Sequence, residues 1–503
     1  MLIVFRSQTW RESWFAFLER NFRVDLSMSG AVADCSSLTD VAAHNPPAIP
    51  SRPAFRQEYK DPTFGACVTR VTDAQTLGVN EAVHTYAELQ AWNADQSLIL
   101  LTTNQIIDAK TSQLVHRLDF GWPGTGTAVR WSPSDPLALY YTGELLSGSD
   151  GIACGVGKAR LMRYRLIPGS PMRGQKELVH CFTEYSKFDK NASFQEMSSD
   201  GRYIALVSTD GQAFLYDLVA NKKLATVSIP AWIEWAEPSP LGDYLLINFG
   251  GGGDGPQSGL EAYNPQTGAK VGKVATGHGH GSTALGPDGV QWYVYTTFDN
   301  YVGVAGPYIV KARIPKGYDD WKAGDKTGLV ALVELDWNAS LHTSCRTPRS
   351  EWCAVSTYAM TKTNVPFYQE VFRLSLNSTL QSPKVQRLAH HRSERNLPAS
   401  CGMSNYWADP HASTSRDGTQ IIFGSTWGQA CRSEAYVIRL AGTAPPSPNN
   451  PADLNADGKV DVIDLGILLS AWGQTTKPKS DINQDGRVDV IDLGILLSKW
   501  GTA

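Results

Sequence analysis

Two short stretches near the C-terminus carry oxygen-bearing side chains at the spacing of a calcium-binding loop. They read DLNADGKVDVID at 453–464 and DINQDGRVDVID at 481–492, so the second repeats the first 28 residues later. Calcium takes about six to eight oxygen ligands, and a glycine at loop position 6 permits the sharp turn around the ion. We therefore predict two Ca²⁺ ions, with Lys459 and Arg487 contributing backbone carbonyl oxygens. The predicted ligands are Asp453, Asn455, Asp457, Lys459, Asp461 and Asp464, then Asp481, Asn483, Asp485, Arg487, Asp489 and Asp492.

Histidines form a second set of chemically competent residues, because half of the ten lie shortly before a turn-like sequence. Neutral imidazoles with one carboxylate suit a transition metal such as Mn²⁺ or Zn²⁺, and an imidazole alone suits a general base. When a metal or an arginine neutralises the carboxylate of a uronic acid, its C5 proton becomes removable and the glycosidic oxygen can leave by β-elimination. The side chains in question are His84, His278, His280, His342, His411 and Asp409.

The chain that must position these histidines repeats a hairpin unit seven times. Each unit has a tight turn, a strongly β-forming run, a second turn and another β run. The turns lie at 92–95, 131–135, 198–201, 238–242, 286–289, 347–350 and 415–418. Four strands per unit at this period predict an all-β, seven-bladed β-propeller, with an array of β-sandwiches as the alternative. The innermost strands line a central channel, so the histidines are expected to converge at its mouth, and a strand within 61–73 is expected to close the ring.

Composition narrows the class of protein. The 503 residues carry a net charge of −4 without a basic stretch, so nucleic acid is not an expected partner. No apolar run approaches the 18 residues of a membrane span. The eight cysteines are an even number and favour disulfides, with Cys345–Cys353 and Cys401–Cys431 as the simplest local pairs.

Four segments follow from these patterns. Residues 1–55 are expected to be a poorly structured leader or linker, 56–443 the propeller, 444–451 a Pro-rich linker, and 452–503 a small all-α calcium-binding domain of paired half EF-hands. The first residues contain no clear apolar core of a signal peptide. The cysteines and the C-terminal loops nevertheless predict an extracellular or cell-surface-associated protein.

The C-terminal stretch resembles a type I dockerin. Each loop runs into an apolar stretch, LGILLSAWG or LGILLSKWG, suited to one buried helix. The resemblance implies docking onto a cohesin-type protein partner in secreted machinery that degrades polysaccharides. Family members often carry hydroxyl residues at loop positions 10 and 11, where this chain has Val462, Ile463, Val490 and Ile491. These exposed apolar pairs suit a protein contact, and the matching repeats allow two binding orientations.

The propeller resembles the oligogalacturonate-lyase-like polysaccharide lyases. The stretches that carry the likeness are VHTYAELQAWNADQS at 83–97 and YWADPHASTSRDGTQIIFGSTW at 406–427. The resemblance implies a lyase that cleaves a uronic-acid polysaccharide. It implies His342 and His411 as metal ligands, Asp409 in the place of a further histidine, Tyr406 in the place of a glutamine, and His280 as the base. His84 and Tyr86 in the first stretch join His280 as candidate catalytic residues.

Two alternatives stay open. The propeller could bind a glycan or a protein without catalysis, with the C-terminal domain delivering it. It could also be a glycoside hydrolase, which needs two facing carboxylates, although the spacing of the candidates singles out no pair. Those candidates are Glu144, Glu196, Glu234 and Glu237. The tryptophans at 92, 131, 235 and 352 are expected to pack between blades rather than to bind sugar.

Overall fold

The structure is a computed structural model that describes residues 35–500 with gaps. The residues outside the description are 121–128, 145–150, 190–191, 194, 231, 278–279, 300–305, 350, 396, 429–430, 441–451, 453, 455–459, 461, 474–479 and 484. For residues 462, 463 and 470 only the backbone is described.

Twenty-nine strands in the described part of the chain form seven sheets. The first three strands belong to the closing sheet: β1 Glu58–Lys60, β2 Cys67–Arg70 and β3 Glu81–Ala82. Blade one contains β4 Leu98–Leu100, β5 Gln105–Asp108 and β6 Leu114–Arg117. Blade two contains β7 Val129–Trp131, β8 Ala138–Glu144, β9 Ala159–Ile167 and β10 Arg173–Phe182. Blade three contains β11 Tyr203–Ser208, β12 Gln212–Asp217, β13 Lys222–Lys223 and β14 Val227–Ser228.

The remaining blades follow the same order along the chain. Blade four contains β15 Trp235–Pro238, β16 Leu245–Asn248, β17 Leu260–Tyr263 and β18 Lys270–Ala275. Blade five contains β19 Gly281–Leu285, β20 Gln291–Thr297, β21 Tyr308–Arg313 and β22 Leu329–Glu334. Blade six contains β23 Ser340–Ser344, β24 Trp352–Tyr358, β25 Glu370–Ser375 and β26 Val385–His390. Blade seven contains β27 Ser413–Thr414, β28 Gln420–Ser425 and β29 Ser433–Arg439, together with β1 to β3.

The hydrophobic core shows that these sheets form a closed ring. Seven clusters of buried apolar side chains each join two consecutive blades, and one of them joins blade seven to blade one. Strand β2 pairs antiparallel with β29 in the last sheet, from Cys67↔Arg439 to Arg70↔Tyr436. The seven-bladed β-propeller is therefore confirmed, and a strand from within 61–73 closes it as predicted.

The turn sequences explain why the hairpins form where they do. In the turn at 198–201 the hydroxyl of Ser198 donates to Asp200 at 2.6 Å and accepts from the backbone of Tyr203 at 2.9 Å. Ser415 donates to Asp417 at 2.6 Å in the same way in the turn at 415–418. The glycine that follows has φ +73° at Gly201, a conformation that side chains with a Cβ avoid.

Four disulfides fasten the described part of the propeller: Cys35–Cys67, Cys154–Cys181, Cys345–Cys353 and Cys401–Cys431. The two local pairs expected from the sequence are among them. The first bridge begins a segment, residues 35–52, that we call the strap. The strap forms isolated bridges to blade six at Leu38↔Arg387 and Ala43↔Pro366, and the Trp427 indole donates to the carbonyl of Pro50 at 3.1 Å.

A buried ion pair lies beneath the strap. Arg387, with no exposed side-chain surface, donates from Nε to Glu370 at 2.7 Å and from its second terminal nitrogen to the same carboxylate. The guanidinium also faces the rings of Phe64 and Phe367, each 5.1 Å from its centre.

We expect Glu370→Ala to lower the free energy of unfolding by about 3 kcal/mol, because the buried guanidinium of Arg387 then keeps, as its only ion pair among the described residues, the one with the 45% exposed Asp40 at 3.3 Å. Equilibrium denaturation of the full chain measures the loss. The matched control is Asp119→Ala, which removes the partner of Lys176 from an exposed pair and is expected to cost about 0–1 kcal/mol. Equal losses in the two variants would contradict the prediction.

Helices are few in the described residues: α1 Ala74–Leu77, α2 Gly317–Lys322, α3 Val462–Ser470 and α4 Val490–Ser498, with 3-10 turns at Ala399–Cys401 and Asn405–Ala408. None of them is long and apolar enough to cross a membrane. Helices α3 and α4 belong to the C-terminal domain. Its core contains equivalent residues of the two repeats, 28 positions apart: Leu454 and Ile482, Val460 and Val488, and Leu468 and Leu496.

Candidate active site and calcium loop

The predicted histidines lie at the beginning of innermost strands. His342 is in β23, His411 comes two residues before β27, His280 directly precedes β19, and His84 forms a bridge with Leu101 next to β4. The ring centres of His342 and His411 are 4.3 Å apart, and those of His280 and His342 are 5.1 Å apart. The structure thus brings His280, His342 and His411 together, whereas His278 lies outside the described residues.

His342 is the centre of this cluster. It is 1% exposed, and neither of its ring nitrogens has a hydrogen-bond partner among the residues that the structure describes. Its ring stacks on Tyr358 with 4.7 Å between centres. Burial and the neighbouring His411 and His280 hold the pKa of His342 well below its usual value, so the imidazole is neutral. A buried neutral imidazole with two unbonded nitrogens is ready to contact a ligand.

His84 and His411 form a supporting pair. The Nε2 atom of His84 is 2.6 Å from the backbone carbonyl oxygen of His411, and burial lowers the pKa of His84 to about 4. His411 is 1% exposed and has φ +43°, which is unusual for a residue with a Cβ. Its Nε2 has no hydrogen-bond partner among the described residues. Burial, and to a lesser extent the neighbouring His84, holds the pKa of His411 well below its usual value. His84 therefore supports the backbone at His411 through its Nε2, whereas its buried Nδ1 has no hydrogen-bond partner among the described residues.

Tyr86 connects the cluster to its outer members. Its hydroxyl is 3.3 Å from Nδ1 of His280, and its ring lies 5.3 Å from His342 and 5.1 Å from His411. Burial, the charge of Glu88 and a hydrogen bond with Tyr406 raise the pKa of Tyr86 well above 10. A phenol that donates to Tyr406 uses its oxygen to accept from Nδ1–H of His280. In a neutral His280 with this tautomer, Nε2 is the basic nitrogen of the exposed ring.

An ion pair borders the histidines. The guanidinium of Arg395 lies 2.9 Å from Asp409, and 5.3 Å from the ring of Tyr358. The side chain of Arg395 is 44% exposed, whereas that of Asp409 is 2% exposed with one oxygen lacking a partner. Burial raises the pKa of Asp409 to about 7, against the opposing effect of Arg395. Arg395 is thus a cation that faces solvent from the edge of the site.

A cavity of about 710 Å³ opens beside this ion pair. Its lining includes residues of the strap and of the loop after β26, among them Asn45, Pro47, Tyr358, Arg392, Arg395 and Asp409. The sequence analysis did not single out Arg395 or Tyr358. The available signal was the cationic sequence HHRSER at 390–395, directly after a predicted blade.

The donor chemistry of the cluster suits a divalent cation. Neutral imidazoles with unpartnered nitrogens at His342 and His411, and an unpartnered carboxylate oxygen at Asp409, are the ligand types that Mn²⁺ or Zn²⁺ accepts. The ligand atoms of His342, His411 and Asp409 do not all lie within 4.8 Å of one another. In the described residues the group that meets this distance is Cys35, Glu58 and Cys67, whose sulfurs form a disulfide. Holding an ion therefore requires rotation of side chains such as His342.

Three of the four carboxylates considered for glycoside hydrolysis contact partners within the protein. Glu237 pairs with Arg346 at 2.9 Å, and Glu196 accepts from the backbone of Gln90 at 2.8 Å. Glu144 lies 3.7 Å from Lys187. Three of the four tryptophans expected to pack between blades do so: Trp92 and Trp131 are fully buried, and Trp235 is 7% exposed. Trp352 is half-buried, and its ring lies beneath Arg373 of its own blade.

The second calcium loop is described except for residue 484. Asp492 accepts from the backbone of Ile482 at 2.7 Å and of Asn483 at 3.1 Å, which closes the loop onto α4. It also accepts from the backbone of Asp489 at 2.8 Å, while Asp489 accepts from Ile491. Asp481 accepts from the backbone of Asp485 at 3.1 Å and of Gly486 at 2.9 Å, and Gly486 has φ +94°.

Among the described residues none of these carboxylates forms an ion pair, and backbone N–H groups hold them instead. Acidic side chains on a sharply turned loop are the ligand type that Ca²⁺ takes. In the first loop, Asp464 is fully buried and accepts from the backbone of Leu454 at 2.7 Å, as Asp492 does from Ile482. The other predicted ligands of that loop, Asp453, Asn455, Asp457, Lys459 and Asp461, lie outside the described residues.

Comparison with known proteins gives one family and one fold. The dockerin type I domain family matches residues 451–499. No curated protein sequence gives a significant match to the chain. An oligogalacturonate lyase in complex with manganese has 15% identity and a TM-score of 0.50, over 81% of this chain and 99% of that chain. An oligogalacturonate lyase from Vibrio parahaemolyticus has 12% identity and a TM-score of 0.48, over 77% and 96%. The chain thus carries a dockerin type I domain after a seven-bladed β-propeller that resembles oligogalacturonate lyase structures.

Proposed function

We propose that the propeller is a polysaccharide lyase that cleaves a uronic-acid polymer by β-elimination. The observation that supports this most directly is the group of three histidines, His280, His342 and His411, beside the exposed guanidinium of Arg395. Arg395 and Asp409 also line the cavity of about 710 Å³, whereas none of the three histidines lines it. A site of this kind offers a base, a positive charge for a carboxylate and room for a sugar chain.

In the proposed reaction His280 is the base. Its Nε2 lone pair takes the C5 proton of the uronic acid, the electrons of the C–H bond form the C4=C5 double bond, and the C4–O bond breaks. Tyr86 fixes the required tautomer through Nδ1. Tyr406, 38% exposed, can give its proton to the leaving oxygen, because burial raises its pKa and keeps the hydroxyl protonated.

Removal of the C5 proton requires that the adjacent carboxylate be neutralised. The cation that this chain supplies is Arg395, whose partner Asp409 has a pKa of about 7 and can give way to the carboxylate of the substrate. A divalent ion held by His342, His411 and Asp409 would supply the same charge neutralisation as a Lewis acid.

The test is to incubate the full chain with polygalacturonate, alginate and glucuronan, with and without Mn²⁺ or Ca²⁺. A rise in ultraviolet absorbance from unsaturated chain ends with at least one polymer is the expected result. Absence of product from every polymer would reject the lyase. If a polymer were then still bound, the second candidate, a non-catalytic glycan-binding propeller, would be favoured, since the exposed cation and cavity are also suited to binding alone.

For the C-terminal domain we propose calcium-dependent attachment to a cohesin outside the cell. The dockerin domain implies assembly through a cohesin. The four disulfides suit an oxidising compartment. At the start of α4, Val490 is 68% and Ile491 53% exposed, so these apolar side chains are available to a partner.

The repeated sequence leads to a specific binding prediction. Ile491→Asp alone is expected to weaken binding of an immobilised type I cohesin only about twofold, because the equivalent residue Ile463 preserves the other orientation. The double variant with Ile463→Asp is expected to weaken it at least about a hundredfold. Val219→Asp, at a 78% exposed position in the propeller, is the control. A hundredfold loss from Ile491→Asp alone would show that a single orientation is used.

A further inference from the structure

Exposed aromatic side chains are concentrated on one face of the propeller. Among its described residues four aromatic rings are exposed: Trp232, Phe298, Trp337 and Tyr406. Each lies either in a segment that leads into an innermost strand (β15, β23, β27) or directly after a second strand (β20). In an antiparallel blade these two positions are at the same edge of the sheet. This edge also carries His280, which directly precedes β19, so the exposed rings share the face of the histidine site.

Phe298 and Trp337 form a pair on this face. Their ring centres are 5.8 Å apart with 27° between planes, and they remain 49% and 61% exposed. Phe298 follows β20 in blade five, and Trp337 lies in the connection from β22 to β23. The pair therefore spans the boundary between the two blades that position His280 and His342.

The turn that carries Trp337 is held by several hydrogen bonds. The backbone of Ala339 donates to the carbonyl of Asp336 at 2.9 Å, and the Asp336 side chain accepts from the backbone of Asn338 at 3.0 Å. The same carboxylate accepts from the Asn338 amide at 2.8 Å and from Lys362 at 3.0 Å. The ring is thus presented from an ordered turn, with an amide and an ammonium group beside it.

We propose that Phe298 and Trp337 form a platform that binds one sugar ring of the polysaccharide, outside the site of cleavage. The two rings are stacked, so an exposed ring face of the pair, rather than a flat surface made of both rings, can cover the C–H face of a sugar ring. The adjacent Asn338 and Lys362 suit hydroxyl and carboxylate groups. Such an exposed aromatic pair on an ordered turn marks an interaction site rather than a packing contact. The inference rests on the proposed function, since it gives the platform the same polymer as ligand.

The position of the platform fits a chain that occupies both sites. Trp337 precedes His342 by five residues, which limits their backbone separation to about 17 Å even in a fully extended chain. A polymer bound at the histidines can therefore extend onto the aromatic pair, whereas the shortest oligomers would fill the histidine site alone. The platform is thus expected to affect long substrates and to leave short ones unchanged.

The test uses affinity electrophoresis of the full chain in gels that contain polygalacturonate, alginate or glucuronan. At least one polymer is expected to retard the wild type, and Trp337→Ala and Phe298→Ala each to weaken that binding about tenfold. Leu241→Ala is the control, because this 43% exposed side chain lies in the turn at 238–242 on the opposite face. Unchanged unfolding curves are expected for all three variants, as their side chains are exposed.

The outcomes separate this inference from the proposed function. If product forms, Trp337→Ala is expected to raise KM for the polymer about tenfold. With a trimer of the same uronic acid as substrate, the rate of unsaturated product formation is expected to stay unchanged. If a polymer retards the wild type but not Trp337→Ala, and no polymer yields unsaturated product, the lyase is rejected and the platform is retained. The platform would be overturned if both aromatic variants bound the polymer as tightly as the wild type. It would also be overturned if none of the three polymers retarded the wild type.

Discussion

The His280→Ala variant is expected to lose formation of unsaturated product by about 10²–10⁴-fold, the range that a positioned general base contributes. The reason is geometric. His280 is the exposed member of the cluster, and its Nδ1 lies 3.3 Å from the hydroxyl of Tyr86. The proposed base is therefore the other ring nitrogen, Nε2. Initial rates of absorbance increase with the polymer that gives the highest wild-type activity measure the loss.

Companion variants separate the base from general damage to the site. Tyr86→Phe removes the hydroxyl that fixes the tautomer of His280 and is expected to cost about tenfold or less, because the imidazole remains. His180→Gln, on the outer strand β10, is the matched histidine control and is expected to retain wild-type rates. A folded His280→Ala protein with wild-type kcat/KM would show that another group removes the proton.

Chelation of calcium by EDTA is expected to unfold the C-terminal domain and to weaken cohesin binding at least about a hundredfold. In the second loop four carboxylates each accept from a backbone N–H group, and none of them forms an ion pair with a described residue: Asp481, Asp485, Asp489 and Asp492. Without the cation their mutual repulsion opposes the fold.

Two measurements on the full chain test the calcium prediction. Loss of helical circular dichroism should accompany loss of cohesin binding, while the thermal unfolding of the propeller should persist, since its ring closes through its own strands β2 and β29. Asp492→Ala should reproduce much of the effect in the presence of calcium, because this carboxylate joins the loop to α4 through Ile482 and Asn483. Unchanged dichroism and unchanged cohesin binding after EDTA would contradict the prediction.

Local sequence patterns predicted the parts of this protein that local chemistry determines. Turns such as 198–201 carry their own hydrogen bonds, so the hairpins and the number of blades could be counted along the chain. The calcium loops were readable for the same reason, since all predicted ligands of one loop lie within 12 residues. The convergence of His280, His342 and His411 followed from their place before the innermost strands.

What the sequence did not predict depends on contacts between distant segments. His84 lies before a turn like the other histidines, but the carbonyl of His411, 327 residues away, bonds its ring. Arg395 reaches Asp409 from the loop after blade six, and the residues in that loop have no periodicity that marks a site. Trp337 and Trp92 are both tryptophans near turns, and only the fold makes one 61% exposed and the other fully buried.

The closure of the ring has a mechanical consequence for a protein attached through its C-terminal domain. The chain leaves the propeller from β29, which lies inside its sheet, with four residue pairs to β2 and two to β3 on one side and six to β28 on the other. A pull on the tether would therefore have to shear the pairing on both sides at once, whereas a terminal strand at a sheet edge could be peeled from a single neighbour. Disulfide Cys35–Cys67, anchored in β2, further secures one of these neighbouring strands.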